Sequence, residues 1–197
     1  MKIIIAITGA SGVIYAQRLI ELLLEQEGVE ISLTLSKTSA LLIKDELKVK
    51  IDLQKFNHEE LFGEKGSRIS YFHYEDLSAD FISGSNYFEA MVIIPCSMGT
   101  LARIAGGLSD NIILRTADVA LKERRKLILV PRETPLNYIH LRNMLELTTA
   151  GAIILPACPG FYHQPKTIND LVDFVVLRVL DHLGIKQVSG IRYQPKV

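Results

Sequence analysis

The sequence has no tryptophan and only two cysteines in 197 residues. Cys96 and Cys158 are too few for a disulfide framework and are not spaced as metal ligands. Each follows an apolar run, so both are expected to be buried free thiols, as in a reducing compartment. Charge of one sign is also missing. Lys plus Arg and Asp plus Glu both total 22, for a formal net charge of zero. A nucleic-acid binder that works by bulk charge carries a basic excess, so that class is excluded. No apolar run reaches the roughly 18 residues that a membrane span needs. Residues 1–7 are apolar but short and lack a cleavage pattern, which argues against a signal peptide. A cytoplasmic location is expected. Repeats and low-complexity segments are absent. What the chain does have is apolar content, with 48% hydrophobic residues and a mean hydropathy of +0.22. Surplus apolar surface on a soluble chain is covered most simply by self-association.

Strand-like runs rich in Ile and Val occur at 2–8, 31–35, 69–72, 90–94, 126–130 and 152–155. They are short and continuous, as strands buried on both faces are. Helical periodicity occupies 13–26, 38–46, 100–105, 111–125, 135–147 and 168–183. Alternating strand and helix predicts an α/β fold: a mostly parallel sheet with helices on both faces. Residues 52–67 are polar and read as a surface excursion. One domain over 1–187 is expected, with residues 188–197 as a C-terminal tail. In such a sheet, ligands bind beyond the carboxyl ends of the strands.

Candidate chemistry sits at those ends. Thr8-Gly9-Ala10-Ser11-Gly12 follows the first strand and opens a helix. Small residues let backbone N–H groups approach a phosphate, and a helix N-terminus adds positive potential. The full Gly-x-Gly-x-x-Gly of dinucleotide sites is missing, which favours a mononucleotide. Ser36-Lys37 follows the second strand, and Ser97-Met98-Gly99-Thr100 follows the fourth. Each could be only an N-cap. Ser83-Gly84-Ser85 is a fourth small-residue cluster, either a plain loop or a loop lying over a ring. From Arg115 to Pro165, cations and acids interleave with apolar runs. Lys122-Glu123-Arg124-Arg125 can be read as a solvated helix end. Arg132-Glu133 directly follows a core strand, so an acid beside an arginine there is a proton-transfer candidate. Glu133 can equally serve the backbone N–H groups of a helix starting at Pro135. Cys96 has no evident histidine partner. His58 reads as surface, His140 as a surface or capping residue, and His182 as a complement to a helix C-terminus.

These segments resemble the UbiX-type flavin prenyltransferases. The likeness rests on the first turn, Ser36-Lys37, Ser83-Gly84-Ser85, Pro95-Cys96-Ser97-Met98-Gly99-Thr100-Leu101 and Asp110-Asn111. It continues through Ala117-Asp118-Val119-Ala120-Leu121-Lys122-Glu123-Arg124-Arg125, Arg132-Glu133-Thr134-Pro135, Ile139-His140-Leu141-Arg142-Asn143-Met144 and Pro159-Gly160-Phe161-Tyr162-His163-Gln164-Pro165. The resemblance implies a single Rossmann-like, flavodoxin-type three-layer domain, FMN as cofactor, no metal and a homododecamer. It also implies transfer of a dimethylallyl group from dimethylallyl phosphate to N5 and C6 of reduced FMN. Some members use the diphosphate. The product would serve a UbiD-type decarboxylase. By the same resemblance, Gly9, Ala10, Ser11, Ser36, Ser97, Met98, Gly99, Thr100 and Arg132 would contact FMN. Arg115, Lys122, Tyr162 and Arg178 would hold the donor phosphate, partly across subunits. Glu133 would move the proton, supported by Ser11, Glu46 and Lys122. The family's tail aromatic, commonly tryptophan, is missing here, and Tyr193 is the nearest candidate. Two other readings stay open. One is an FMN-dependent cysteine decarboxylase of the phosphopantothenoylcysteine type, with His73 as base. The other is a non-enzymatic flavin-binding module.

Overall fold

The structure is a computed structural model that describes residues 1–186. Tyr193, the tail and the expected boundary at 187/188 lie outside the described residues. Six strands make one sheet: β1 (Lys2–Ile7), β2 (Glu30–Leu35), β3 (Ile69–His73), β4 (Ala90–Cys96), β5 (Lys126–Pro131) and β6 (Ile153–Ile154). Their order is β3-β2-β1-β4-β5-β6, and every pairing is parallel. The order reverses between β1 and β4, which defines the switch point at which open α/β sheets bind ligands.

The helices are α1 (Val13–Leu24), α2 (Ser39–Leu42), α3 (Glu59–Phe62), α4 (Met98–Ala105), α5 (Ile112–Lys122), α6 (Tyr138–Ala150) and α7 (Ile168–Leu183). β1 shows why they cover both faces. Side chains alternate along a strand. Ile3, Ile5 and Ile7 enter one core with Leu19, Ile20 and Leu23 of α1 and Val175, Val176 and Val179 of α7. Ile4 and Ala6 enter the other with Leu101 of α4, Ala117 and Ala120 of α5, Phe81 and Phe88. All five β1 positions are at most 1% exposed. Burying each such isoleucine contributes about 1.5–3 kcal/mol. The result is the three-layer α/β architecture that the strand–helix alternation predicts.

The elements depart from expectation where caps and turns decide. The helix expected over 135–147 starts later, at Tyr138. Asn137 accepts from the His140 N–H at 2.9 Å and caps it. The helix expected over 111–125 stops at Lys122 because Arg124 turns left-handed, with φ 56°, and Arg125 N–H donates back to Ala120 O. The helix expected over 38–46 divides. After α2 the chain widens into a π-turn, Ile43–Leu47, closed by Lys48 at φ 60°. Such widened turns re-aim a side chain, here Glu46. The excursion at 52–67 contains α3 and a 3-10 turn, Gly63–Arg68. Leu61 is buried, and Phe56 and Phe62 pack on the core. Cys158 is exposed, contrary to expectation. β6 has only two residues, so the chain leaves the sheet before reaching Cys158.

Candidate functional site

The end of β4 is where the site begins. Pro95 cannot donate to the ladder, and the register against β5 shifts between Ile93 and Cys96. Thr8, fully buried, bridges the gap. Its hydroxyl donates to Pro95 O at 2.9 Å and accepts from the Ser97 N–H at 2.8 Å. This lock places Ser97 over α4, where its Oγ accepts from Thr100 N–H at 3.1 Å. Ser36 plays the matching part after β2, accepting from Ser39 N–H at 3.3 Å. The N-cap reading of Ser97 therefore holds; Ser36 instead lies two residues ahead of Thr38, the N-cap of α2, and both serines face a cavity.

That cavity, about 340 Å³, lies at the switch point. Gly9, Ser36, Lys37, Thr38, Ser97 and Thr100 line it, with Tyr74, Arg103 and Asn111. Gly9 must be small, since a Cβ there would stand 2.8 Å from Thr38 Cβ. The volume and the few polar groups suit a bound organic ligand. Backbone N–H groups at a helix N-terminus, serine and threonine hydroxyls, Lys37 and Arg103, which is paired with Asp110, suit its phosphate. Gly9, Ser36, Ser97 and Thr100 thus line one cavity together. Of the other residues expected at a flavin, Ala10 and Met98 are buried and Ser11 and Gly99 exposed, beyond the cavity lining. Thr38, Tyr74, Arg103 and Asn111 were not among the expected site residues. Thr38 adjoins Ser36-Lys37, Arg103 lies one helical turn from Thr100, and Asn111 falls in the Asp110-Asn111 pair of the resemblance; Tyr74 carries no sequence signal.

A second group converges on the first turn. The Glu46 carboxylate accepts from Gly12 N–H and Val13 N–H, both at 2.9 Å. The Arg132 side chain reaches across from the end of β5, and its Nε donates to Ser11 O at 3.1 Å. Ser11, Glu46 and Arg132 therefore meet, although 121 residues separate the arginine from the serine. The meeting occupies the Gly12 and Val13 N–H groups of this turn, while Gly9 stays at the cavity. An anion already holds the N–H groups opening α1, so a second anion there meets repulsion. The other helix N-terminus at the cavity is that of α4, where Ser97 and Thr100 line the space. Glu133 follows Arg132 in an exposed loop, not in a helix start. Its Oε1 accepts from Thr134 N–H at 3.1 Å.

The cations expected at a donor phosphate are not gathered by one chain. Arg115 lies one turn into α5, paired with Asp118 at 3.2 Å. Lys122 ends that helix, paired with Glu123 at 2.7 Å. Eleven residues of α5 carry the chain about 16 Å, from Asn111 at the cavity to the opposite edge where β5 begins. Arg178, paired with Asp181 at 2.9 Å, sits near the end of α7, whose His182 carbonyl accepts from Lys126, the first residue of β5. Tyr162 is exposed after β6, with Phe174 and His163 rings 5.7 and 5.8 Å away. Ser83-Gly84-Ser85 also lies at the far edge, held by Arg125. Cys96 is a poor nucleophile, because complete burial pushes its thiol up to about 12. His73, the candidate decarboxylase base, contacts Gln54 and Glu75 and does not line the cavity. His140 serves the α6 capping box. His58 is half-buried, not a surface residue, and its Nδ1 is shielded. Among the described residues no group of three or more His, Cys, Asp or Glu could hold a metal ion, and no helix is long and apolar enough to cross a membrane.

Comparison with known proteins follows the same direction. The sequence matches the Flavoprotein family over residues 1–180. It is 50% identical over 185 residues to the flavin prenyltransferase UbiX of Methanocaldococcus jannaschii, covering 94% of each chain. Among solved structures, a dodecameric FMN-dependent UbiX-like decarboxylase from Escherichia coli O157:H7 superposes with TM-score 0.88 at 39% identity, over 99% of this chain and all of that one. AnUbiX (PadA1), solved in complex with FMN and dimethylallyl pyrophosphate, gives TM-score 0.87 at 38% identity, over 100% of this chain and 98% of that one.

Proposed function

This chain belongs to the Flavoprotein family, in its UbiX flavin prenyltransferase branch, and from that premise we propose that it joins a dimethylallyl group from dimethylallyl phosphate to N5 and C6 of reduced FMN. It is a prenyltransferase and its cofactor is FMN. The finer proposal is carried by one observation: Arg132 and Glu46 converge on the Ser11 turn beside a mononucleotide-sized cavity.

Gly9, Ser36, Ser97 and Thr100 would hold FMN, joined by Thr38 and Arg103. When bound, the reduced flavin supplies the carbon and nitrogen nucleophiles. The chain's own task is the donor. Ionising an allylic phosphate leaves an anion, and preorganised guanidinium and ammonium groups stabilise it as it forms. Arg132, held by its bond to the Ser11 carbonyl, would contact FMN beside that phosphate. Arg115, Lys122, Tyr162 and Arg178 complete the phosphate site only if neighbouring copies supply those that lie far from Arg132 in their own chain. The allylic cation must also be kept from water, which an assembled interface achieves. Glu133 is exposed and unburdened by an ion pair among the described residues. It would take up the proton that leaves flavin C6 as the ring closes and pass it to the leaving phosphate, whose second pKa of about 6 makes it a ready acceptor. Ser11 and Glu46 hold the turn beneath. Assembly into a dodecamer, as in the E. coli relative, and delivery of the product to a UbiD-type decarboxylase complete the proposal.

The test is anaerobic incubation with reduced FMN and dimethylallyl phosphate, or the diphosphate in a parallel arm, followed by mass spectrometry of the flavin. The expected product is FMN carrying one dimethylallyl group in a fourth ring. Unchanged FMN with both donors sinks the proposal.

A further inference from the structure

The Ser83-Gly84-Ser85 loop and the end of α5 fit together unusually closely. Arg125 clamps the loop, donating to Gly84 O at 2.6 Å and to Asn86 O at 2.7 Å. The same guanidinium lies over the Tyr87 and Phe88 rings, at 5.4 and 4.7 Å. Against this fixed backbone lie Lys122 and Glu123, with Lys122 Nζ donating to Glu123 Oε1 at 2.7 Å. A Cβ on residue 84 would stand 2.2 Å from Glu123 Oε1 and 2.7 Å from Lys122 Nζ. Gly84 is not among the glycines with positive φ. Room, not backbone strain, is what its missing side chain provides, and the room is filled by this ion pair.

We propose that Gly84 and Glu123 are positioning residues for Lys122, fixing the ammonium group that meets the donor phosphate in a neighbouring copy's site. The inference rests on the reading of Lys122 as a phosphate ligand. A free lysine side chain loses much rotamer freedom when it is held in one place. Here part of that loss is taken before the donor arrives. Glu123 uses only one of the three ammonium hydrogens and leaves two for phosphate oxygens. The carboxylate stays charged for the task, because Lys122 and then Arg125 hold it below the usual carboxylate range. A competing possibility has the opposite sign: a carboxylate beside the ammonium could merely weaken the attraction for phosphate.

The atoms that a Cβ at 84 would meet are the ends of flexible side chains, so Gly84→Ala should displace the pair without unfolding the loop. The experiment compares Gly84→Ala, Glu123→Ala, Glu123→Gln, Lys122→Ala and the double Gly84→Ala/Lys122→Ala variant in the full chain. It measures kcat and the donor KM with reduced FMN and dimethylallyl phosphate, FMN affinity by flavin absorbance, and thermal stability. Gly84→Ala and Glu123→Ala should raise the donor KM by about five- to twenty-fold, with FMN affinity and melting temperature held. Glu123→Gln, whose amide oxygen still accepts from Nζ, should recover most of that loss. The double variant should be no worse than Lys122→Ala alone, since coupled residues are non-additive. An unchanged donor KM in both Gly84→Ala and Glu123→Ala, alongside an impaired Lys122→Ala, overturns the positioning role alone. So does a lowered KM in Glu123→Ala, or additivity in the double variant. An unimpaired Lys122→Ala overturns the phosphate reading of Lys122 and this inference with it.

Discussion

Glu133 shows how far a single residue can be read. Its place after a core strand and beside an arginine is visible in the sequence, but its exposure and its bond to Thr134 N–H are not. Because no helix begins at Pro135, the capping alternative for Glu133 loses its helix. We expect Glu133→Gln to bind FMN and donor normally and to turn over about 10²- to 10⁴-fold more slowly, the range for a lost proton-transfer group. Stopped-flow spectra and product mass would check this. Near-normal turnover with a lowered melting temperature would make Glu133 a loop-fixing residue instead. Cys158 marks the limit of local reading. An apolar run precedes both thiols, yet only Cys96 continues a strand that stays in the sheet. The cavity residues are a similar case. Ser36, Ser97 and Thr100 carry hydroxyls at strand-to-helix turns and stand out in the sequence. Tyr74 and Asn111 come from distant segments, joined where Ile112 N–H donates to Tyr74 O at 3.0 Å, and nothing local foretells that meeting.

At the scale of elements, apolar periodicity locates every strand and most helices, and the errors fall at ends set by hydrogen bonds. The π-turn after α2 is the instructive case. Periodicity there reads as one helix, but the widened turn brings Glu46 to the N-terminus of α1, 34 residues earlier. Glu46 should therefore support α1 as well as the chemistry. Glu46→Ala should lose about 1 kcal/mol, as for a lost cap, lowering the melting temperature by about 2–4 °C in a chain of this size. Glu46→Gln, still an acceptor, should lose less. A calorimetric melt that does not separate the two variants from the parent would remove the capping role. α7 offers a pH test. Lys166 and Thr167 N–H groups donate to Asp170 at 2.7 and 2.9 Å, and these bonds hold its carboxyl below the usual range. A depressed folded value means the stabilisation is whole above the unfolded value and fades as pH falls through the folded one. Asp170→Asn should flatten the stability profile below about pH 4 and leave the alkaline side unchanged. Denaturant melts from pH 2 to 7 would read it, and an unaltered acid limb would count against the cap.

For the whole molecule, the decisive fact is the separation of Lys122 and Arg178 from the Arg132–Ser11–Glu46 cluster. A shared site predicts complementation. Lys122→Ala and Glu133→Gln chains, each nearly inactive alone, should regain activity when unfolded and refolded together, because some sites then combine an intact Lys122 with an intact Glu133. Activity that stays at the sum of the separate variants would place each site within one chain. Surface composition agrees with assembly: Tyr138, Leu141 and Leu145 are 73%, 53% and 67% exposed along one side of α6. The sequence announces this surplus in its hydropathy but not its location, since apolar residues fall on more than one side of α6 and the pattern does not say which side faces the sheet. The strand order has a further consequence, for synthesis. β1 stands at the centre of the finished sheet but is made first of the six strands. β2 can cover one of its edges soon after, while the other waits for β4, which begins at Ala90. At about 5–20 residues per second on the ribosome, that edge stays open for several seconds. Throughout that interval the nascent chain presents an apolar strand with one open edge, Lys2–Ile7, and chaperone capture or pairing with a neighbouring nascent chain competes with the arrival of β4.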